Sequence, residues 1–277
     1  MDAYVQTKLL EDVFGDSSDE SSDDKLSDSP PLTNPNYLLI SMDANVQRKL
    51  LEDVFGESSD DKLSDSPPLT NLNSLYWDPI SEINGLWMCR DFLSLQQQSS
   101  LLSSIQAEGW FIEASHNQAM RFGDLPFWAL ELSNQIHEVV CLGDEETKNH
   151  DNDTCLMPPQ LLHRAPFFDQ LIVNVYQPGE GICAHVDLMR YEDGIAIVSL
   201  ESSCVMHFSP VEKDGEVPSA TKIPVHLTPG SLVIMSGEAR YHWKHEINRK
   251  PGFQVWQGQE LEQKRRTSIT LRRLCSS

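Results

Sequence analysis

The sequence predicts a mainly β domain with flanking helices, an α+β fold, behind a disordered acidic N-terminal tail. Three observations lead there. From Gln170 onward, eight short apolar runs alternate with turn residues: QLIVNVY, GICAHVD, GIAIVSL, CVMHF, KIPVHL, GSLVIMS, ARYHWKHEI and TSITLRRL. Strands at such spacing make a sandwich or a barrel. Ahead of them, two segments carry helical periodicity. Before those, residues 1–75 hold 16 acidic and 5 basic side chains and contain a repeat.

The repeat comes first along the chain. MDAYVQTKLLEDVFGDSSDESSDDKLSDSPPLTNPN (1–36) returns at 42–73 as MDANVQRKLLEDVFGESSDDKLSDSPPLTNLN, shortened in the acid-serine run. Segments of Ser, Asp and Pro bury too little apolar surface to offset chain entropy, so 1–75 is expected to be disordered. Within each copy, VQxKLLEDVF sets Val5, Leu9, Leu10, Val13 and Phe14, or Val46, Leu50, Leu51, Val54 and Phe55, on one helical face. Two readings stand open: a short helix that folds onto a protein partner, or a duplication without consequence in a chain whose translation begins at Met42.

The folded domain is expected over 76–277, where aromatic and aliphatic residues reach globular density. NGLWMCRDFLSLQQQSSLLSSIQAEGW reads as a strand and then a helix capped near Ser94, with Leu101, Leu102 and Ile105 toward the core. EASHNQAMRFGDLP reads as a polar loop carrying Met120 and Phe122. FWALELSNQIHEVVCLG reads as a second helix, followed by a polar loop, GDEETKNHDNDTCLMPP, that lacks the spacing of a calcium loop.

Composition excludes several classes of function. The chain carries 42 acidic against 21 basic side chains, a formal net charge of −21, so a broad basic surface for long duplex DNA is not expected. A local strip remains, with 9 basic and 3 acidic residues from Ala239 to Ser277. No apolar run approaches the roughly 20 residues of a membrane span, and the N-terminus lacks a signal peptide's basic start. An intracellular monomer of cytoplasm or nucleus, without membrane association, is expected. The six cysteines form no C-x-x-C pair, and buried thiols are expected rather than zinc ligands or disulfides.

Strand alternation then shows which side chains share a face. His185 and Asp187 in GICAHVD point the same way. In RYHWKHEI, Tyr241, Trp243, His245 and Ile247 share one face, and Arg240, His242 and Lys244 the other. Two imidazoles and a carboxylate on one side of a metal are the ligand set of non-haem Fe(II) oxygenases. A lone His-x-Asp is a weak signal, since a core histidine bonded to a backbone carbonyl is the commoner outcome. The last strand adds weight, because RTSITLRR puts Arg266, Ser268, Thr270 and Arg272 on one face. Such a face ordinarily lies in solvent; if the guanidiniums instead face a barrel lumen, they require an anion there, and a dicarboxylate suits them. Asn174 and Tyr176, on one side of QLIVNVY, offer further polar contacts.

These residues carry a family resemblance. LIVNVYQPGEGICAHVD, PGSLVIMSGEARYHWKHEI and RRTSITLRRL, in that order, resemble the AlkB-type 2-oxoglutarate and Fe(II) dependent dioxygenases over roughly Gly85 to Leu274. The resemblance implies a double-stranded β-helix, or jelly roll. It implies Fe(II) on His185, Asp187 and His245, with 2-oxoglutarate held by Asn174, Tyr176 and Arg266 and with Arg272 at the same pocket. The co-substrates would be 2-oxoglutarate and O2, and the reaction oxidation of a C–H bond on a nucleobase flipped into the pocket. Ser268 stands where the family more often has Asn.

The family places its nucleotide-recognition lid at the position of AMRFG, making Met120, Arg121 and Phe122 candidates for stacking and phosphate contact, unless Phe122 merely anchors the loop. Trp243 would limit solvent access. Met189 occupies a position where repair-type members tend to carry an acid, which argues against alkyl-base repair. The wording around GEARYHWKHEI, with MRFG, is nearer the branch that hydroxylates wobble uridines in tRNA. A modified base in RNA is therefore the favoured substrate, ahead of a DNA or mRNA alkyl base, a protein substrate, or a non-catalytic scaffold.

Overall fold

In a computed structural model of the chain, the described residues are 75–113, 116–148, 155–212 and 222–275. They fall within the second of two compact units, Pro68–Ser277. The repeats, with the disorder and the partner helix expected of them, lie outside the described residues.

Along the chain the elements are β1 (Trp77–Pro79), β2 (Leu86–Cys89), α1 (Leu95–Ala107), β3 (Gln118–Phe122), α2 (Phe127–Lys148), α3 (Pro159–Leu162), β4 (Gln170–Tyr176), β5 (Ile182–His185), β6 (Ile195–Leu200), β7 (Cys204–Pro210), β8 (Ile223–Leu227), β9 (Leu232–Met235), α4 (Glu238–Tyr241), β10 (Trp243–Ile247), β11 (Val255–Trp256), β12 (Gln259–Glu260) and β13 (Arg266–Arg272). A seven-stranded sheet runs β1-β2-β9-β6-β13-β4-β3, a four-stranded sheet runs β5-β10-β7-β8, and β11 pairs with β12. Every pairing in the two larger sheets is antiparallel. This is the jelly roll, with all eight expected strands present. No helix among the described residues is long and apolar enough to cross a membrane.

The large sheet is buried on both faces, and alternation feeds two separate cores. Trp87, Cys89, Ala196, Val198, Leu232, Ile234, Ile269 and Leu271 pack with Ile105 of α1 and with Trp128, Leu132, Ile136 and Val140 of α2. Their neighbours Leu86, Met88, Ile195, Ile197, Val233 and Met235 meet Cys204, Met206, Phe208, Val225, Leu227 and Ile247 of the small sheet. The polar members of that inner face are gathered on β4 and β13, and they mark the site.

Helix α1 begins where its chemistry predicts. The Ser94 side chain accepts from the Gln97 amide while the Gln97 side chain accepts from the Ser94 amide, a complete capping box. Leu101 and Leu102 pack against the helix-side core and Ile105 is buried in it. Ser94→Ala is expected to cost about 1 kcal/mol, read as a lower urea midpoint at unchanged slope. An unchanged midpoint would mean that core contacts alone hold α1.

Several expectations are corrected. AMRFG is no loop: Gln118–Phe122 forms edge strand β3, in register with β4 from Gln118 opposite Asn174 to Phe122 opposite Gln170. Its polar composition reflects the edge position, where one side of the strand lacks a neighbour. The run before His245 is not strand throughout, since Glu238–Tyr241 forms α4 and the strand starts at Trp243. Tyr241 therefore leaves the face assigned to it, and Arg240 is 1% exposed rather than outward. Cys89 and Cys204 are buried thiols, the former pushed up to about 12 chiefly by burial, but Cys183 and Cys275 are exposed. The C-terminal basic strip is dispersed: Arg240, Arg249 and Arg266 are buried, while Arg265 pairs with Glu201 and Lys264 with Glu262.

Candidate active site

His185 and His245 are brought together by the pairing of β5 with β10, where they stand directly opposite each other. Their ring centroids are 4.3 Å apart. Gly181 permits this approach, because a Cβ there would lie 1.9 Å from the Ile247 carbonyl oxygen. Asp187 follows the end of β5 and returns to the same point, with Oδ2 3.7 Å from His245 Nε2. Ligand atoms of all three residues lie within 4.8 Å of one another.

The electrostatics suit a cation. His185 Nδ1 lies 2.8 Å from the Cys183 carbonyl oxygen. A carbonyl only accepts, so Nδ1 carries the proton and Nε2 presents its lone pair. Burial, with His185 as the next cause, pushes His245 down to about 3, against the pull of Asp187. Its imidazole is neutral, and the approach to Asp187 is that of two donors aimed at one point rather than an ion pair. Burial alone would raise the Asp187 carboxyl, but the guanidinium charges beside it, Arg272 foremost, hold it below its ordinary range. Two imidazoles and a carboxylate are the donor set that Fe(II) takes in non-haem oxygenases.

The floor of the pocket comes from β4 and β13. Their register sets Arg266 opposite Tyr176, Ser268 opposite Asn174 and Arg272 opposite Gln170, as neighbours in one sheet. Asn174, Tyr176, Arg266, Ser268, Thr270 and Arg272 line the same cavity as His185, Asp187 and His245. The two arginines differ in their partners. Arg272 donates to Asp187 Oδ1 at 2.8 Å. Arg266 is 1% exposed and donates only to hydroxyls, Ser199 at 2.8 Å and Ser268 at 3.5 Å, leaving Nε and Nη1 buried without a hydrogen bond. A buried guanidinium with two idle donors fits a carboxylate of a bound co-substrate.

The residues expected at the substrate side divide. Residues directly opposite in an antiparallel pair share a face, so Gln118, Met120 and Phe122 lie on the pocket side with Asn174, Ile172 and Gln170. Arg121 points the other way, its guanidinium 4.4 Å from the centroid of Trp110. Phe122 is 47% exposed and Met189 71%. Trp243 packs against the core between the sheets instead of lining the cavity. Sequence reasoning missed Arg190, whose guanidinium stands 5.7 Å from Phe122. It also missed Arg240. The signal for Arg240 was an arginine just ahead of a buried strand; the signal for Arg190 was its place three residues after Asp187.

Two antiparallel sheets closing over a site of this chemistry make the protein a jelly-roll oxygenase dependent on a metal and an anionic co-substrate. Comparison with known proteins narrows the class: residues 85–272 match the sequence model of the 2OG-Fe(II) oxygenase superfamily, and the chain belongs to that family. Its reaction uses Fe(II), 2-oxoglutarate and O2. Among similar proteins, the alkylated DNA repair protein ALKBH8 homolog of Arabidopsis thaliana is 28% identical over 225 residues, 70% of this chain and 60% of that protein. The tRNA (carboxymethyluridine(34)-5-O)-methyltransferase alkbh8 of Xenopus tropicalis is 32% identical over 186 residues, 64% of this chain but 27% of that protein. The solved structure of OsALKBH1 shares the fold at 16% identity, with a TM-score of 0.51 over 72% of this chain and all of that one.

Proposed function

We propose that the protein oxidises a C–H bond on a modified nucleobase, with tRNA favoured, and that His185, Asp187 and His245 hold the iron. Arg266, Asn174 and Tyr176 hold 2-oxoglutarate, and Arg272 orients Asp187 and closes the pocket. When bound, iron and 2-oxoglutarate together activate O2 for insertion into a C–H bond, leaving succinate and CO2. The protein's own contribution is orientation: tautomer control at His185, a fixed carboxylate at Asp187, and an apolar wall of Ile182, Met206 and Ile247 that limits water.

The observation that carries the substrate class is the lip of the pocket. Gln118, Met120 and Phe122 on β3 lie on the face of Asn174 and Gln170, and Arg190 of the loop after Asp187, where Leu188 and Met189 are exposed, stands 5.7 Å from the Phe122 ring. An aromatic and thioether surface with one guanidinium suits a single unstacked base and its phosphate. It does not suit a duplex, whose binding draws on many cations, and the net charge of −21 argues the same way. The names of the two relatives point to nucleic acid, one of them to tRNA.

Incubation of the protein with undermodified tRNA, methylated DNA and RNA oligonucleotides, and protein extract, followed by nucleoside and peptide mass spectrometry, tests the reading. Hydroxylated wobble uridine is the expected product, and Phe122→Ala should raise KM for tRNA about tenfold, the worth of one stacked base at roughly 1–3 kcal/mol, without moving 2-oxoglutarate affinity. Turnover confined to methylated bases would transfer the protein to alkyl-base demethylation, and oxidised peptides alone would make it a protein oxygenase.

A further inference from the structure

Arg240 is among the largest fully buried side chains of the protein, and neither metal nor co-substrate contact accounts for it. It lies on α4, the single turn joining β9 to the strand of His245. Its guanidinium leaves that turn and enters the loop of Asp187. Nη1 donates to the Asp187 carbonyl at 2.9 Å, and Nη2 donates to the Leu188 carbonyl at 2.7 Å and the Tyr191 carbonyl at 3.2 Å. All three acceptors are main-chain oxygens, so the bonds fix the backbone of 187–191 and leave the Asp187 carboxylate to its own partners.

A second tie runs between the same two segments. The Gly237 amide, at the start of α4, donates to both carboxylate oxygens of Asp193, at 3.0 and 3.1 Å. The turn that delivers His245 is thus fastened at both ends to the loop that delivers Asp187. His185 and His245 need no such device, because strand pairing sets them opposite each other. Asp187 lies beyond the end of β5, where no ladder determines its place.

We infer that Arg240 is a positioning residue that sets the distance between Asp187 and His245, and through Leu188 to Tyr191 also sets the lip on which substrate rests. A five-donor planar fork can hold three carbonyls of one loop at once; a lysine ammonium is a point charge on a flexible stem and holds them less rigidly. The inference rests on the reading of His185, Asp187 and His245 as metal ligands.

Calorimetric titration with Mn(II), and the visible spectrum of the Co(II) form, test it on the full chain with Asp187→Ala as control. Arg240→Gln should lower metal affinity roughly tenfold to a hundredfold, the range for outer partners of metal ligands. It should also shift the Co(II) bands, and Arg240→Lys should fall between Arg240→Gln and wild type. Wild-type affinity and spectrum in a folded Arg240→Gln would overturn the positioning role. If Arg240→Gln does not fold, the same result in Arg240→Lys overturns it, and failure of both to fold would assign Arg240 to fold stability alone and equally overturn it. Retained metal binding in Asp187→Ala would instead overturn the ligand reading.

Discussion

His185→Ala, Asp187→Ala and His245→Ala are each expected to abolish stable metal binding and turnover, whereas His242→Ala leaves both near wild type. The three side chains converge within 4.8 Å, and a facial site with one of them missing retains only two protein donors. The affinity loss should exceed the roughly hundredfold that disturbing an outer partner can cost. His242 makes the informative control: it is three residues from His245, yet it caps α4 through its amide, bonded to the Glu238 carbonyl, and lies outside the cavity. Titration with Mn(II) reads the effect directly, with melting temperature measured in parallel. Loss of metal in His242→Ala with retention in His245→Ala would refute the assignment.

The second large effect separates the two arginines of β13. Arg266→Ala should weaken 2-oxoglutarate by two orders of magnitude or more in Kd with Mn(II) in place, because removing one partner of a buried charge pair costs about 3–5 kcal/mol. Arg272→Ala should act first on the metal, since its guanidinium is engaged with the Asp187 carboxylate at 2.8 Å. The Asp187 carboxyl, held low by Arg272 after the opposing effect of burial, would rise in that variant and surrender metal at a higher pH than wild type. Arg266→Lys should recover part of the 2-oxoglutarate affinity by restoring charge without the fork. Equal 2-oxoglutarate affinity in wild type and Arg266→Ala, or metal loss in Arg266→Ala alone, would sink this division of labour.

The eight strands from Gln170 to Arg272, the capped helix at Ser94, and the shared face of Trp243, His245 and Ile247 were legible because alternation and capping are local. Each depends on residues a few positions apart, and backbone geometry converts that spacing into a face without reference to the rest of the chain. The ordered set of Asn-x-Tyr, His-x-Asp, a distant His and Arg-x-Ser-x-Thr-x-Arg pointed to the chemistry through its resemblance to the AlkB-type dioxygenases. Where reading by alternation failed, a turn had interrupted the period. Glu238–Tyr241 winds one helical turn, which rotates Arg240 from the outside to the interior.

Other features followed from contacts between distant segments. Whether QAMRF forms a loop or an edge strand is decided by β4, which supplies the hydrogen-bond partners from Gln118 to Phe122. That pairing decides which of Met120, Arg121 and Phe122 share the face of Asn174 and Gln170. Arg266 and Arg272 occupy equivalent positions in the alternation of one strand, and nothing in RTSITLRR distinguishes them. The difference arises because Asp187 comes within reach of one and the hydroxyls of Ser199 and Ser268 within reach of the other. Periodicity assigns a side chain to a face, but what it meets there depends on sheet order and register, which join residues some 85 positions apart in the chain, as Asp187 and Arg272 are.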